Sequence, residues 1–150
     1  MRKPTIITLL KSDHKTVAGL FDVLEDTKAP GKRAKIFAQL DQALSAHAEF
    51  EEERVYPLLQ ARKASKDMAL EAIEEHAQIK RLLSELRDLD PADERWKAKV
   101  TVLAEDVRHH VKEEESDDLP ELKKVVSEDV LLSLAEEYNE SLAEKVNARR

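Results

Sequence analysis

Residues 47–57 read HAEFEEERVYP, and residues 110–120 read HVKEEESDDLP. In each stretch, glutamates follow the histidine at the fourth and fifth positions, and a proline follows it at the tenth. Positions i and i+4 of a helix lie one turn apart on the same face, with Cβ atoms about 5–6 Å apart. An imidazole and a carboxylate at this spacing can bind the same ion. The repeated pattern therefore predicts a metal site.

The duplication extends upstream of both stretches. Asp13-His14 precedes the first stretch and Glu75-His76 precedes the second. The two histidines of the first copy are 33 residues apart, and those of the second copy are 34 residues apart. We therefore predict two helical hairpins in tandem, each with a histidine on its first helix and a His-x-x-x-Glu pair on its second.

The composition favours a helical protein. Charged residues make up 38% of the 150 residues and aromatic residues 4%, and there are only two glycines. This length corresponds to one domain, predicted over residues 1–150, and allows a sizeable core. The absence of cysteine excludes disulfides, thiolate metal ligands and iron–sulfur clusters.

Charge and hydropathy narrow the range of partners. The net charge is −7 and the sequence has no evident basic face, which predicts that the chain does not bind nucleic acid. No stretch approaches the roughly 20 apolar residues of a membrane span. Residues 1–4 do not lead into an apolar segment long enough for a signal peptide. We therefore expect a cytoplasmic protein that has no membrane partner.

The spacing of apolar residues predicts four long helices and a C-terminal one. The first helix is expected over residues 5–26, and residues 27–32, with Pro30-Gly31, form the turn that follows it. The second helix is expected to begin at about Arg33. Because proline disfavours helical geometry at the residue before it, Pro57 predicts a kink or an end of this helix.

The same signals place the remaining helices. Ser65 is the expected N-cap of the third helix, and Asp90-Pro91 is expected to cap and begin the fourth. Pro120 interrupts the fourth helix, and a further helix is predicted over about residues 127–146.

Short connections between long helices make antiparallel neighbours. The predicted fold is therefore all-α, an antiparallel up-down four-helix bundle with an additional C-terminal helix. The bundle is expected over about residues 5–118 and the C-terminal helical extension over about residues 120–148.

Six polar residues share the apolar faces of the four bundle helices. They are His14, His47, Glu51, His76, His110 and Glu114. Burying six polar groups is costly unless they satisfy one another or bind a cation. One such histidine is usually a surface residue or a hydrogen-bonded core residue, and a purely structural bundle without metal is an alternative. Four histidines in one phase, with repeated glutamate partners, favour a metal site.

The other polar residues near these stretches are predicted to lie outside the ligand set. His109 lies about 100° round the helix from His110, which favours a surface position or one behind the ligands. A solvated face is predicted for the remaining carboxylates, which are Glu49, Glu52, Glu53, Glu113 and Glu115.

Imidazoles and carboxylates without thiolates suit iron, manganese or zinc. Six ligands, two of them carboxylates that can bridge, suit a pair of six-coordinate ions better than one tetrahedral zinc. The ferritin-like di-iron pattern needs a glutamate three residues before a histidine. The chain does not have this pattern, because the positions in question hold Lys11, Leu44, Ile73 and Val107.

The four histidines, the two His-x-x-x-Glu pairs and the Glu-Glu and proline that follow them resemble the hemerythrin-like family, in the variant called the HHE cation-binding domain. The resemblance covers nearly the whole chain. It implies a four-helix bundle that holds two non-haem iron ions, bridged by Glu51, Glu114 and an oxo or hydroxo group, with manganese or zinc as alternative occupants.

The chain departs from the oxygen-carrying hemerythrins at two positions. Those proteins have a fifth histidine four residues after the third, where this chain has Lys80, and an aspartate five residues after the last, where it has Glu115. These departures argue against reversible oxygen carriage. They leave the implied iron site intact, with a position that is open, filled by water or occupied by another group. Lys80 is expected to pair with a carboxylate or to extend along the surface.

The resemblance implies several functions. The leading one is a di-iron protein that binds a small ligand such as O₂, NO or peroxide in sensing, storage or detoxification. Enzymatic turnover of peroxide or NO stays open, because no separate acid–base group specifies it. An alternative is an iron-sensing or iron-donating repair protein without turnover.

Overall fold

A computed structural model describes residues 2–148, and Met1, Arg149 and Arg150 of the predicted domain lie outside the described residues. Every regular element in residues 2–148 is helical, as the sequence predicts. The α-helices are α1 (Ile6–Asp26), α2 (Pro30–Phe50), α3 (Tyr56–Gln60), α4 (Lys63–Arg87), α5 (Glu94–Glu113), α6 (Leu119–Val125) and α7 (Glu128–Ala148). Two π-helical turns, Glu51–Val55 and Glu114–Asp118, join α2 to α3 and α5 to α6.

The helices assemble as the predicted antiparallel bundle. α1 packs against α2 and α5, and α4 packs against α5 and α2, so the four helices enclose one core. α3 and α6 continue α2 and α5 beyond the π turns and contact each other. The chain runs up and down through the bundle because short loops reverse its direction after α1, α3 and α4.

The C-terminal helix α7 packs on the outside of α1. The ring of Tyr138, on α7, packs against the ring of Phe50, and their centroids are 4.7 Å apart. Arg54 forms a bidentate ion pair with Glu137, with N–O distances of 2.9 and 3.0 Å. The predicted extra helix is therefore part of the folded unit rather than a free tail.

The core consists of two apolar clusters at opposite ends of the bundle. One cluster surrounds Phe21, Leu86 and Trp96, near the loops that follow α1 and α4. The other surrounds Leu10 and Tyr56, where α3, α6 and α7 meet the bundle. A layer of polar residues lies between the clusters, so apolar side chains shield it from water at both ends.

The prolines explain the two π turns. A proline inside an α-helix has no N–H to donate, and its ring clashes with the carbonyl four residues earlier. In the turn before Pro57, the N–H of Tyr56 donates to the carbonyl of Glu51, five residues back. The N–H of Leu119, before Pro120, donates to the carbonyl of Glu114 in the same way. The sequence analysis predicts a kink or an end of the helix here. The helix instead continues, because the turn before each proline takes one extra residue and its hydrogen bond spans five residues.

Three predicted helix boundaries are wrong by a few residues. α2 begins at Pro30 rather than at about Arg33, because proline has a preset φ that suits the first helical position. α5 begins at Glu94 and not after Asp90. Its N-cap is Asp93, whose carboxylate accepts a 2.8 Å hydrogen bond from the N–H of Arg95.

The third corrected boundary concerns Ser65. This residue lies inside α4 and is not its N-cap. Its buried hydroxyl donates a 2.6 Å hydrogen bond to the carbonyl of Leu59. The side chain therefore ties the end of α3 to the start of α4.

Within residues 2–148, no helix is both long enough and apolar enough to cross a bilayer.

Candidate metal centre

The six side chains singled out by the sequence lie together in the polar layer. None of them exposes more than 7% of its surface, and both glutamates are fully buried. His14, His76 and His110 come from α1, α4 and α5, and His47 comes from α2. The two glutamates are the first residues of the two π turns.

The ligand atoms form two groups of three. In each group, the nitrogen and oxygen atoms lie within 4.8 Å of one another. The first group is His14, His47 and Glu114, and the second is Glu51, His76 and His110. Each group therefore takes its glutamate from one copy of the repeat and both of its histidines from the other copy.

Both glutamates also reach across to the other group. Oε1 of Glu51 lies 3.3 Å from Nε2 of His76 and 3.1 Å from Nε2 of His47. Oε2 of Glu114 lies 3.0 Å from Nε2 of His14 and 3.5 Å from Nε2 of His110. Two carboxylates that each face histidines of both groups have the arrangement needed to bridge two ions.

Several atoms of this centre are buried without a hydrogen-bond partner. Within residues 2–148, four buried side-chain nitrogen or oxygen atoms have none, and three of them belong to these residues. The three are Nε2 of His47, Oε2 of Glu51 and Oε1 of Glu114. An unpaired buried polar atom typically costs about 1–3 kcal/mol. A bound cation would satisfy these atoms.

In each histidine, Nδ1 is the nitrogen that points away from the centre, and it contacts a carboxylate oxygen. The four pairs and their N–O distances are His14–Glu115 at 2.6 Å, His47–Asp13 at 2.9 Å, His76–Glu52 at 3.0 Å and His110–Glu75 at 2.6 Å. The Nε2 atoms of all four rings consequently face the interior. Such partners fix the ring orientation and the tautomer of a metal-binding histidine.

This finding corrects the prediction for Glu52 and Glu115. The sequence analysis assigns both to a solvated face, because they lie about 100° round the helix from the ligand glutamates. In the structure they are partly exposed, yet their carboxylates reach the histidines of neighbouring helices. Helical periodicity describes one helix and cannot show such contacts.

The pairing follows the duplication of the sequence. The acidic residue before the first histidine of each copy, Asp13 or Glu75, contacts the second histidine of the same copy. The acidic residue after each ligand glutamate, Glu52 or Glu115, contacts the first histidine of the other copy. The repeated Asp/Glu-His and Glu-Glu pairs were therefore the available signal for all four contacts.

Tyr56 belongs to the site, and the sequence analysis does not assign it a role there. Its side chain is fully buried, and its Oη donates to Oε1 of Glu51 at 3.3 Å. Oη of Tyr56 also lies 3.0 Å from Nε2 of His76 and 3.4 Å from Nε2 of His110. Burial and then the charge of Glu51 raise the pKa of the phenol, so Tyr56 is protonated at neutral pH.

Asp118 is a second buried residue that the sequence analysis passes over. It ends the second π turn, and only 6% of its surface is exposed. Burial raises the pKa of its carboxyl to about 7, and the charges of Glu51 and Glu75 act in the same direction. Asp118 therefore lies in the electrostatic field of the centre although it belongs to neither group of three.

Opposing effects decide the charge of the ligands. Burial alone would lower the pKa of His47, but Glu51 and Asp13 outweigh it and raise that pKa to about 10. Burial and the charge of His47 lower the pKa of His14. Burial would disfavour the charge on Glu51, yet His47 and His76 hold the pKa of Glu51 below its ordinary value. A metal ion must therefore displace a proton from His47.

His109 and Lys80 lie outside both groups. His109 is 65% exposed, and its Nε2 lies 3.1 Å from Glu113 and 3.6 Å from Glu75. Nζ of Lys80 lies 2.6 Å from Glu52, the carboxylate that also contacts His76. Lys80 is therefore paired with a carboxylate, as the sequence analysis expects.

The fold and this centre define a helical-bundle protein of the metal-binding type. Residues 5–122 match the hemerythrin HHE cation binding domain, which is most of the chain. The chain therefore belongs to the hemerythrin HHE cation-binding family. Membership of this family and the two buried His/Glu groups together support metal binding.

Two further proteins are similar to the chain. A crystal structure of a hemerythrin HHE cation binding domain-containing protein from Mycobacterium kansasii superposes with a TM-score of 0.81 over 95% of this chain and 87% of that one. Its sequence is 24% identical, so the likeness concerns the fold. A DNA nickase of Nostoc sp. is 35% identical over 108 residues. That match covers 72% of this chain, which spans only 30% of the relative's length.

Proposed function

We propose that the chain is a non-haem di-iron protein that handles a small ligand such as O₂, NO or peroxide, in sensing, storage or detoxification. His14, His47 and Glu114 would hold one ion, and Glu51, His76 and His110 would hold the other. Because each glutamate also faces a histidine of the other group, Glu51 and Glu114 would complete one shared set of six ligands. This proposal extends the family's cation binding to a metal, a stoichiometry and a class of ligand.

The observation that carries the proposal is a buried layer rich in carboxylates, in which three ligand atoms have no hydrogen-bond partner. Within residues 2–148, the buried charged or polar residues include no lysine and no arginine, whereas Glu51, Glu114 and Asp118 are all buried there. The proton that His47 carries in the metal-free fold offsets part of this negative charge, and that proton leaves when a metal binds. Cations would replace the lost positive charge and satisfy the unpaired atoms of His47 and both glutamates.

The chemistry of the donors fits iron. Four imidazoles and two carboxylates suit iron, manganese and zinc. Six donors exceed the four of a closed zinc site. When bound, a pair of iron ions would supply redox chemistry and an open position for a small ligand.

The chain's own residues orient the donors and keep the site dry. The carboxylates on the four Nδ1 atoms turn every Nε2 inward, so the rings are preset for binding. The phenol of Tyr56 adds a hydrogen-bond donor that faces the second group. Apolar clusters on both sides strengthen the electrostatic interactions in the layer, because they exclude water.

Metal analysis tests the proposal directly. The protein is loaded with ferrous iron under anaerobic conditions, freed of excess metal, and examined for iron content and for its optical spectrum after exposure to air. We expect two iron ions per chain and absorption typical of a ferric pair. At most one ion per chain after loading would contradict the proposal. Glu53→Gln is the control for the variants described below, because Glu53 lies in the same π turn and is exposed.

DNA nicking is a second candidate function, because the Nostoc relative carries that name. Two-metal sites do support the hydrolysis of phosphodiesters. The net charge of −7 opposes binding to a phosphate backbone, which favours the small-ligand function over this one. Supercoiled plasmid incubated with the iron-loaded or manganese-loaded protein tests it. Nicking that is lost in Glu51→Gln and kept in Glu53→Gln would establish the activity, and intact plasmid would remove it.

A further inference from the structure

A small internal cavity adjoins the candidate metal centre on the side of the apolar cluster that surrounds Phe21, Leu86 and Trp96. Its volume is about 30 Å³, and all four ligand histidines line it. The rest of its wall is apolar apart from Asp13, and consists of Val17, Leu44, Ala48, Ile79, Val107 and Val111. A cavity needs at least about 10–15 Å³ to hold one water molecule, so a diatomic molecule fits here.

A second depression of about 160 Å³ lies on the surface between α1 and α5. It shares four of its lining residues with the internal cavity, namely His14, Val17, Val107 and Val111. The shared valines separate the two spaces at the point where α1 and α5 pack. Val17 and Val107 are nearly fully buried, whereas Val111 is partly exposed. The two cavities therefore lie next to each other, and only these shared residues stand between the surface and the cavity at the histidines.

The walls restrict what can cross from one cavity to the other. Outside the shared residues, the surface depression is lined by Ala18, Phe21 and the two exposed cations Arg108 and Lys112. Arg108 is held by Glu25 at 2.8 Å. Between these cations and the histidines the shared wall consists of valines, so an ion crossing it would lose its hydration without gaining a partner there. A small uncharged molecule pays no such cost.

We propose that small uncharged ligands reach the metal centre through the passage between α1 and α5, and that the valines shared by its two cavities control their rate of entry. This inference rests on the proposed function, since it assumes a metal centre that binds such a ligand. It adds the route by which such a ligand enters, between α1 and α5. It also assigns a role to residues outside the six ligands.

Stopped-flow binding of NO gas to the iron-loaded, reduced protein tests the passage. Ala18→Phe places a bulky ring at the exposed mouth without touching a ligand, and Val111→Ala widens the shared wall. We expect Ala18→Phe to slow NO association by about tenfold, within the range over which association rates vary among variants of one site. Val111→Ala should speed it. Ala98→Phe is the matched control, because Ala98 is exposed on α5 outside both cavities.

The equilibrium constant separates a passage from a change in the site. A change in the passage alters the association and dissociation rate constants by the same factor. Kd for NO should therefore stay at the wild-type value in Ala18→Phe and Val111→Ala, while both rate constants change. Wild-type rates in both variants, or equal slowing in Ala98→Phe, would overturn the passage and leave the proposed function standing. An iron-loaded wild-type protein that binds no NO would overturn the proposed function and the passage with it.

Discussion

Nδ1 of His14 lies 2.6 Å from Oε2 of Glu115, a residue 101 positions further along the chain. The ring of His14 thereby lies between two consecutive glutamates, because its Nε2 lies 3.0 Å from Glu114. One glutamate is fully buried and the other has 39% of its side chain exposed. The first is in place to bind metal and the second to orient the histidine, although both belong to the same helical turn.

Glu51→Gln and Glu114→Gln should abolish or halve iron retention. Each change keeps the volume of the side chain but removes a negative charge and one oxygen that can bridge two ions. Iron content after loading and gel filtration measures the effect. Wild-type iron content in both variants would contradict the ligand set.

Glu115→Gln and Glu52→Gln should weaken iron binding without abolishing it. Removing a carboxylate behind a metal-binding histidine typically reduces metal affinity about 10- to 100-fold. Competition with a chelator measures the affinity, and Glu53→Gln should behave as wild type. Loss of all iron in Glu115→Gln with retention in Glu114→Gln would reverse the roles assigned to these two residues.

Iron binding should stabilise the fold, and more strongly as the pH rises. His47 has a pKa of about 10 in the metal-free fold, so at neutral pH its proton contributes stability to that state and must leave when metal binds. Protons therefore compete with iron at low pH. Thermal unfolding of the apo and holo proteins between about pH 6 and 8 should show a difference in Tm that grows with pH. Identical melting of both forms would remove the basis for a metal in the core.

Asp118→Asn should stabilise the metal-free protein above the acid range. The pKa of Asp118 is about 7 in the fold, whereas an unfolded aspartate titrates near 3.8. Between these values the folded state holds a proton that the unfolded state has released, so stability falls as the pH rises. The gain in Tm from the substitution should therefore be small at about pH 4, grow up to about pH 7 and stay constant above it. An equal gain at every pH would show that the carboxyl of Asp118 titrates normally.

Many features of the fold and the site follow from the sequence alone. The spacing of four histidines and two glutamates on apolar helix faces predicts the bundle, its order of helices and the six residues of the polar layer. These predictions depend on periodicity within single helices, which an α-helix imposes locally. The helix starts at Pro30 and Glu94 were misjudged by a few residues, since several turn and cap residues compete near each boundary.

The contacts between helices were decided only by the tertiary structure. Glu52 and Glu115 occupy the side of the helix predicted to face water, and they contact histidines because neighbouring helices approach at that angle. Tyr56 enters the site because the π turn before Pro57 rotates the chain by one residue. A sequence pattern specifies which face a residue occupies on its own helix. How far a side chain reaches on another helix depends on packing, which only the assembled bundle determines.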